Sequence, residues 1–124
     1  MTGAADALAP RDYPNQAAHH GLALSADGTT LCDAATVSGY VALLDRESLA
    51  VQAIVQVGDQ PADAETSLDG KYCFVSNRGP SSNAVSVISY GERREVARIP
   101  VGLRPQELVQ ARLPPDVVAA IAPR

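Results

Sequence analysis

Self-similarity with a period in the forties constrains this chain more than any other feature. Val57-Gly58-Asp59-Gln60-Pro61 returns 44 residues later as Val101-Gly102-Leu103-Arg104-Pro105. Leu24-Ser25-Ala26-Asp27-Gly28 matches Thr66-Ser67-Leu68-Asp69-Gly70 at an offset of 42. Val41-Ala42-Leu43-Leu44-Asp45 matches Val85-Ser86-Val87-Ile88-Ser89 at 44. The two extra residues fall in Gly79-Pro80-Ser81-Ser82-Asn83, a loop composition that absorbs insertions. Both propeller blades and two-helix solenoids repeat at this period, so residue periodicity has to separate them.

Periodicity favours strands. Residues 84–89, 96–101 and 50–57 are rich in β-branched side chains and nearly alternate, and no helical stripe of similar length competes. The second repeat divides into strands at about 63–67, 72–76, 84–89 and 95–101. The first divides at about 21–25, 31–34, 40–45 and 50–57. Asp27-Gly28 and Asp69-Gly70 join the first two strands of each repeat, because Asp-Gly supplies the positive φ that a tight hairpin needs. Four antiparallel strands per repeat describe a propeller blade. The predicted organisation is a linker or frayed segment over 1–18, a propeller segment over 19–113, and a tail over 114–124. The blades span about 19–60 and 61–104, and 105–113 is the start of a third, with residues 106–112 as one extra innermost strand. Pro114-Pro115 then breaks the pattern, and residues 116–122 could form two helical turns capped by Asp116.

Composition narrows the partners. The net charge is -4 and Lys and Arg form no stripe, which argues against nucleic acid and anionic membranes. No apolar run approaches the roughly 20 residues of a spanning helix. Residues 1–14 lack the basic start and apolar centre of a secretory signal. Cys32 and Cys73 both sit in strand-like runs, where buried free thiols are the expectation and a single bridge the alternative.

The second repeat resembles the YVTN-type β-propeller repeat. That repeat runs through V-G-x-x-P, a strand, a D-G turn, the Tyr-Val-Thr-Asn signature and a V-S-V-I-D strand. Here the corresponding residues are Val57-Gly58-Asp59-Gln60-Pro61, Asp69-Gly70, Phe74-Val75-Ser76-Asn77 and Val85-Ser86-Val87-Ile88-Ser89. In the first repeat Cys32-Asp33-Ala34-Ala35 replaces the signature. The resemblance covers roughly residues 18–112 and implies architecture more firmly than function. Similar repeats occur in bacterial and archaeal surface proteins, lactonase-like propellers and periplasmic redox propellers. It therefore implies a periplasmic or extracellular location, with the cytoplasm as the alternative for a chain without a signal peptide.

Candidate site residues follow from the offsets. His20, Ala62 and Gln106 begin successive innermost strands, at one mouth of the central channel, and Asp63 and Glu107 follow. His20, Asp63, Glu65, Arg104 and Glu107 are the candidate ligand-binding set there. Carboxylates in such a place could bind a divalent cation or serve as a general base in lactone hydrolysis. His19 and His20 could ligate a metal ion, but adjacent strand residues point to opposite faces, so only one of them can face the channel. Arg78 could receive an anionic ligand, although a lone arginine on a loop is usually solvated.

The expected fold is all-β: two four-stranded antiparallel blades plus one extra innermost strand, an incomplete β-propeller. A blade buries both faces against neighbours, so two blades leave two apolar faces bare. Further blades, from the same or another chain, are the expected partners, and the chain is either a segment of a larger propeller or a self-associating one. Two functions remain open: a propeller binding or scaffold module that takes a small-molecule ligand, and part of a propeller enzyme, lactonase-like or metal-dependent redox.

Overall fold

Both repeats fold as their alternating patterns require. The computed structural model describes residues 4–14 and 17–123. The first repeat forms β1 (Leu22–Leu24), β2 (Thr30–Ala35), β3 (Tyr40–Asp45) and β4 (Val51–Gln56). The second forms β5 (Pro61–Thr66), β6 (Tyr72–Asn77), β7 (Ala84–Ser89) and β8 (Arg94–Pro100). Each set is a separate antiparallel sheet in chain order. The two sheets are blades of an incomplete β-propeller.

The hairpin turns carry the geometry their sequences demand. Gly28 and Gly70 both have φ +72°. Asp27 Oδ1 accepts from the Ser25 hydroxyl at 2.6 Å and the Thr29 N–H at 3.1 Å. Asp69 repeats this with Ser67 at 2.5 Å and the Lys71 N–H at 3.1 Å. These donors, the seryl hydroxyls foremost, hold both carboxyl groups below the usual aspartate range. The repeat also shows in the backbone. Leu49 (φ +58°) matches Arg93 (+55°), and Gln60 (+51°) matches Arg104 (+56°).

The core lies between the blades, where Cys32, Val41, Leu43 and Val55 meet Ala64, Cys73, Val75 and Ile88. Cys32 and Cys73 are bonded across it, with Cα atoms 6.6 Å apart and both residues fully buried. The expectation of free thiols is overturned, for a geometric reason. The two are 41 residues apart, one short of the 42-residue offset. One step along a strand reverses the face, so Cys73 looks back at the first blade while Cys32 looks forward.

β1 and β5 run so close that a Cβ on Gly21 would lie 2.6 Å from the Ala62 carbonyl oxygen, which explains a glycine where the next copies have Asp63 and Glu107. Residues 105–114 follow β8 without pairing in a ladder. The expected third innermost strand is thus a lone extended segment beside β5, held by side chains. Ser76 Oγ donates to the Gln106 carbonyl at 2.7 Å, Asp63 Oδ2 accepts from the Leu108 N–H at 2.7 Å, and the Gln110 amide donates to the Thr66 carbonyl. A ladder needs the next strand of a third blade, and Pro114-Pro115 follows instead.

Helix α1 (Pro115–Ile121) starts one residue before the expected helix. Pro114, not Asp116, holds the cap position, and no residue of α1 is buried. The N-terminal flank contains two short 3-10 turns, Ala4–Ala7 and Pro10–Asp12. Among the described residues, no helix is long and apolar enough to cross a membrane.

Candidate binding site at the channel mouth

The starts of the innermost strands converge on a cavity of about 570 Å³ lined by His20, Ala62, Asp63, Arg78, Gln106, Glu107 and Leu108. His20, Asp63 and Glu107, three of the residues chosen from the repeat offsets, are therefore brought together. His20 Nδ1 donates to the Ala62 carbonyl at 3.1 Å, which fixes the ring across the gap between β1 and β5. Asp63 is aimed by a register irregularity between Pro61 and Ala64. Its N–H donates to Ser76 Oγ at 3.1 Å, and its carboxylate holds Leu108. Arg78 joins from the end of β6. The cavity thus combines an imidazole, two carboxylates and a guanidinium, suited to a polar ligand with both donor and acceptor groups.

Two candidates fall elsewhere. Glu65, two residues farther along β5, lines a separate, mostly apolar groove with Phe74, Val85 and Ile99. Arg104 is absent from the mouth. Its positive φ and its N–H donation to the Ser82 carbonyl at 2.8 Å make it a turn residue, as Gln60 is in the preceding copy.

The vicinal histidines diverge as strand geometry requires. His19 Nδ1 donates to Asp33 Oδ2 at 2.5 Å, on the opposite face of the first blade, and its ring meets Tyr40 edge-on at 6.3 Å between centroids. Burial pushes the Asp33 carboxyl up, with the neighbouring His19 pulling the other way. As a pair His19 and His20 are not a chelate. Among the described residues, no three His, Cys, Asp or Glu side chains group closely enough to hold a metal ion.

No protein-family model and no curated protein matches this chain. Solved structures do. Hydrazine synthase from Kuenenia stuttgartiensis matches with a TM-score of 0.67 and 27% identity over 71% of the chain. The dihydro-heme d1 dehydrogenase NirN, in complex with DHE, matches with a TM-score of 0.59 and 28% identity over 74%. Both are propeller proteins, in agreement with the two sheets seen here. The chain spans 25% of the first and 20% of the second.

Proposed function

We propose that this chain is a propeller binding module whose ligand sits at the channel mouth, and that it works with further blades, either in a larger propeller or by association. The observation that carries this reading is the 570 Å³ cavity, in which His20 ahead of β1, residues of β5, Arg78 just past β6 and the 106–108 segment converge. Polar groups gathered on the innermost strands at one end of a propeller are placed to meet a ligand entering the channel. In a complete ring the absent blades would add the rest of the wall.

A second reading has support from the neighbours, one named as a synthase and the other as a dehydrogenase. On that reading the chain supplies part of an enzyme's channel, His20 and Asp63 being the groups nearest to chemistry. A divalent metal there would need ligands from other blades, since the described residues gather no complete set. The buried Cys32–Cys73 bond supports an oxidising compartment, periplasmic or extracellular, for either reading.

Nuclear magnetic resonance titration with three probes tests the site: zinc ion, a γ-lactone and haemin. Binding should move the signals of His20, Asp63 and Glu107 together, and His20→Ala should abolish the response while leaving the strand signals in place. Haemin alone would favour the redox reading, and turnover of the lactone the hydrolytic one. If none of the probes perturbs any mouth residue, the binding reading fails.

A further inference from the structure

The two outward apolar faces of this blade pair are the two halves of one interface, and we propose that a second copy of the chain covers them head to tail. This rests on the reading that the module is completed by added blades, and it names the partner and the register. The internal interface supplies the template. Forward-facing Val41, Leu43 and Val55 of the first blade pack there against the second. Their equivalents 44 residues on are Val85, Val87 and Ile99, on the outward face of the second blade. Val85 and Val87 are buried there, whereas Ile99 is 44% exposed, and with Phe74 and Val85 it lines an apolar groove of about 270 Å³.

The backward face behaves in the same way. Ala64, Cys73 and Ile88 of the second blade meet the first. Their equivalents at 42 and 44 residues back are Leu22, Leu31 and Leu44, on the outer face of the first blade. Leu22 is 58% exposed, Leu24 45% and Ile54 45%, whereas Leu44, Ala42 and Tyr40 are buried, so this face is apolar and uncovered in part. Asp33, the charge within it, already has His19 as a partner. Isolated monomers seldom leave such contiguous apolar faces to water. A heterologous contact of this kind closes into a ring when the rotation per copy allows it.

The disulfide fixes the register. Cys32 and Cys73 touch inside the chain, and their repeat equivalents are Phe74 and Leu31. Phe74 of one copy should therefore meet Leu31 of the next. β1 of the incoming copy takes the place that residues 106–110 hold beside β5. That segment is secured by side-chain bonds rather than by a ladder, so docking displaces it, and the incoming copy's His20 and Gly21, the counterparts of Gln106 and Glu107, take its place at the mouth.

The test is the full chain carrying Leu31→Cys and Phe74→Cys, oxidised at tens of micromolar and run without reductant. Multimers bridged between positions 31 and 74, identified by peptide mass, are expected, and neither single variant should form that bridge. Leu24→Asp, with unchanged circular dichroism, should weaken association at least tenfold in sedimentation. Bridges joining 31 to 31 or 74 to 74, or thiols left unpaired in a monomer, overturn the proposal and leave another chain's blade as the partner. Probe-induced shifts at His20 and Asp63 in a chain that fails to cross-link would sink this interface while the channel-mouth reading stands.

Discussion

Position 35 in the first blade is alanine, and its equivalent 42 residues on is Asn77. Asn77 is buried and fully engaged. Its Oδ1 accepts from the Gly58 N–H at 3.0 Å, and its Nδ2 donates to the Ala84 carbonyl at 3.2 Å and to Ser86 Oγ at 2.9 Å. In the first blade Ala35 packs with Ala42, the counterpart of Ser86, in a small apolar cluster. Ala34 likewise stands where Ser76 grips both the Asp63 N–H and the Gln106 carbonyl. The two blades share a backbone and differ in filling. Polar side chains appear where the backbone ladder stops, at the link between blades and at the lone segment 105–110. Asn77 thus ties strands of its own blade together through Ala84 and Ser86 and reaches the link between blades at Gly58.

Cutting the covalent joint breaks this comparison most severely. The chain-entropy argument gives a bridge closing a 41-residue separation about 4 kcal/mol. Replacing both cysteines with alanine should lower stability by at least that much in urea titrations. It should also show whether the polar-tied blade outlasts the apolar one or both melt together. Asn77→Ala comes next. It strands Ser86, the Gly58 N–H and the Ala84 carbonyl, for a cost of about 2–3 kcal/mol.

The glycine turns sharpen the comparison at smaller amplitude. Both have the same φ, yet a Cβ on Gly28 meets nothing within 4 Å, while one on Gly70 would come 2.2 Å from the Ala26 Cβ. Gly28→Ala should cost about 1 kcal/mol and Gly70→Ala clearly more, by thermal unfolding. Equal losses would mean that the contact with Ala26 yields freely. Smallest is Thr36→Val. Thr36 Oγ1 is buried and unpartnered, at the counterpart of Arg78, so removing the hydroxyl should leave stability within about 0.5 kcal/mol or raise it slightly.

Much of this was legible in the residues. The strands, the Asp-Gly turns and the convergence of His20, Asp63 and Glu107 all follow from periodicity and offset, because a repeat fixes which residues share an end of the propeller. The place of Glu65 was not legible, since the offset assigns it to an innermost strand without showing that it lies past the mouth, beside Phe74 in an apolar groove. Arg104 misled because a basic residue beside a proline looks available, whereas its conformation serves the turn. The disulfide carried a readable signal that composition concealed. A separation one short of the period places two side chains on facing sides of adjacent blades.

That cross-link also governs how the molecule would respond to mechanical load. A pull applied at the two ends reaches Cys32 and Cys73 and passes directly from one to the other. The strands enclosed between them, from the second half of the first blade through β5, bear no tension. About 140 Å of contour, 41 residues at roughly 3.4 Å each, stays hidden from extension until the bond is reduced. In an oxidising compartment the chain would yield from its outer strands alone, and reductant would release the rest in one added length.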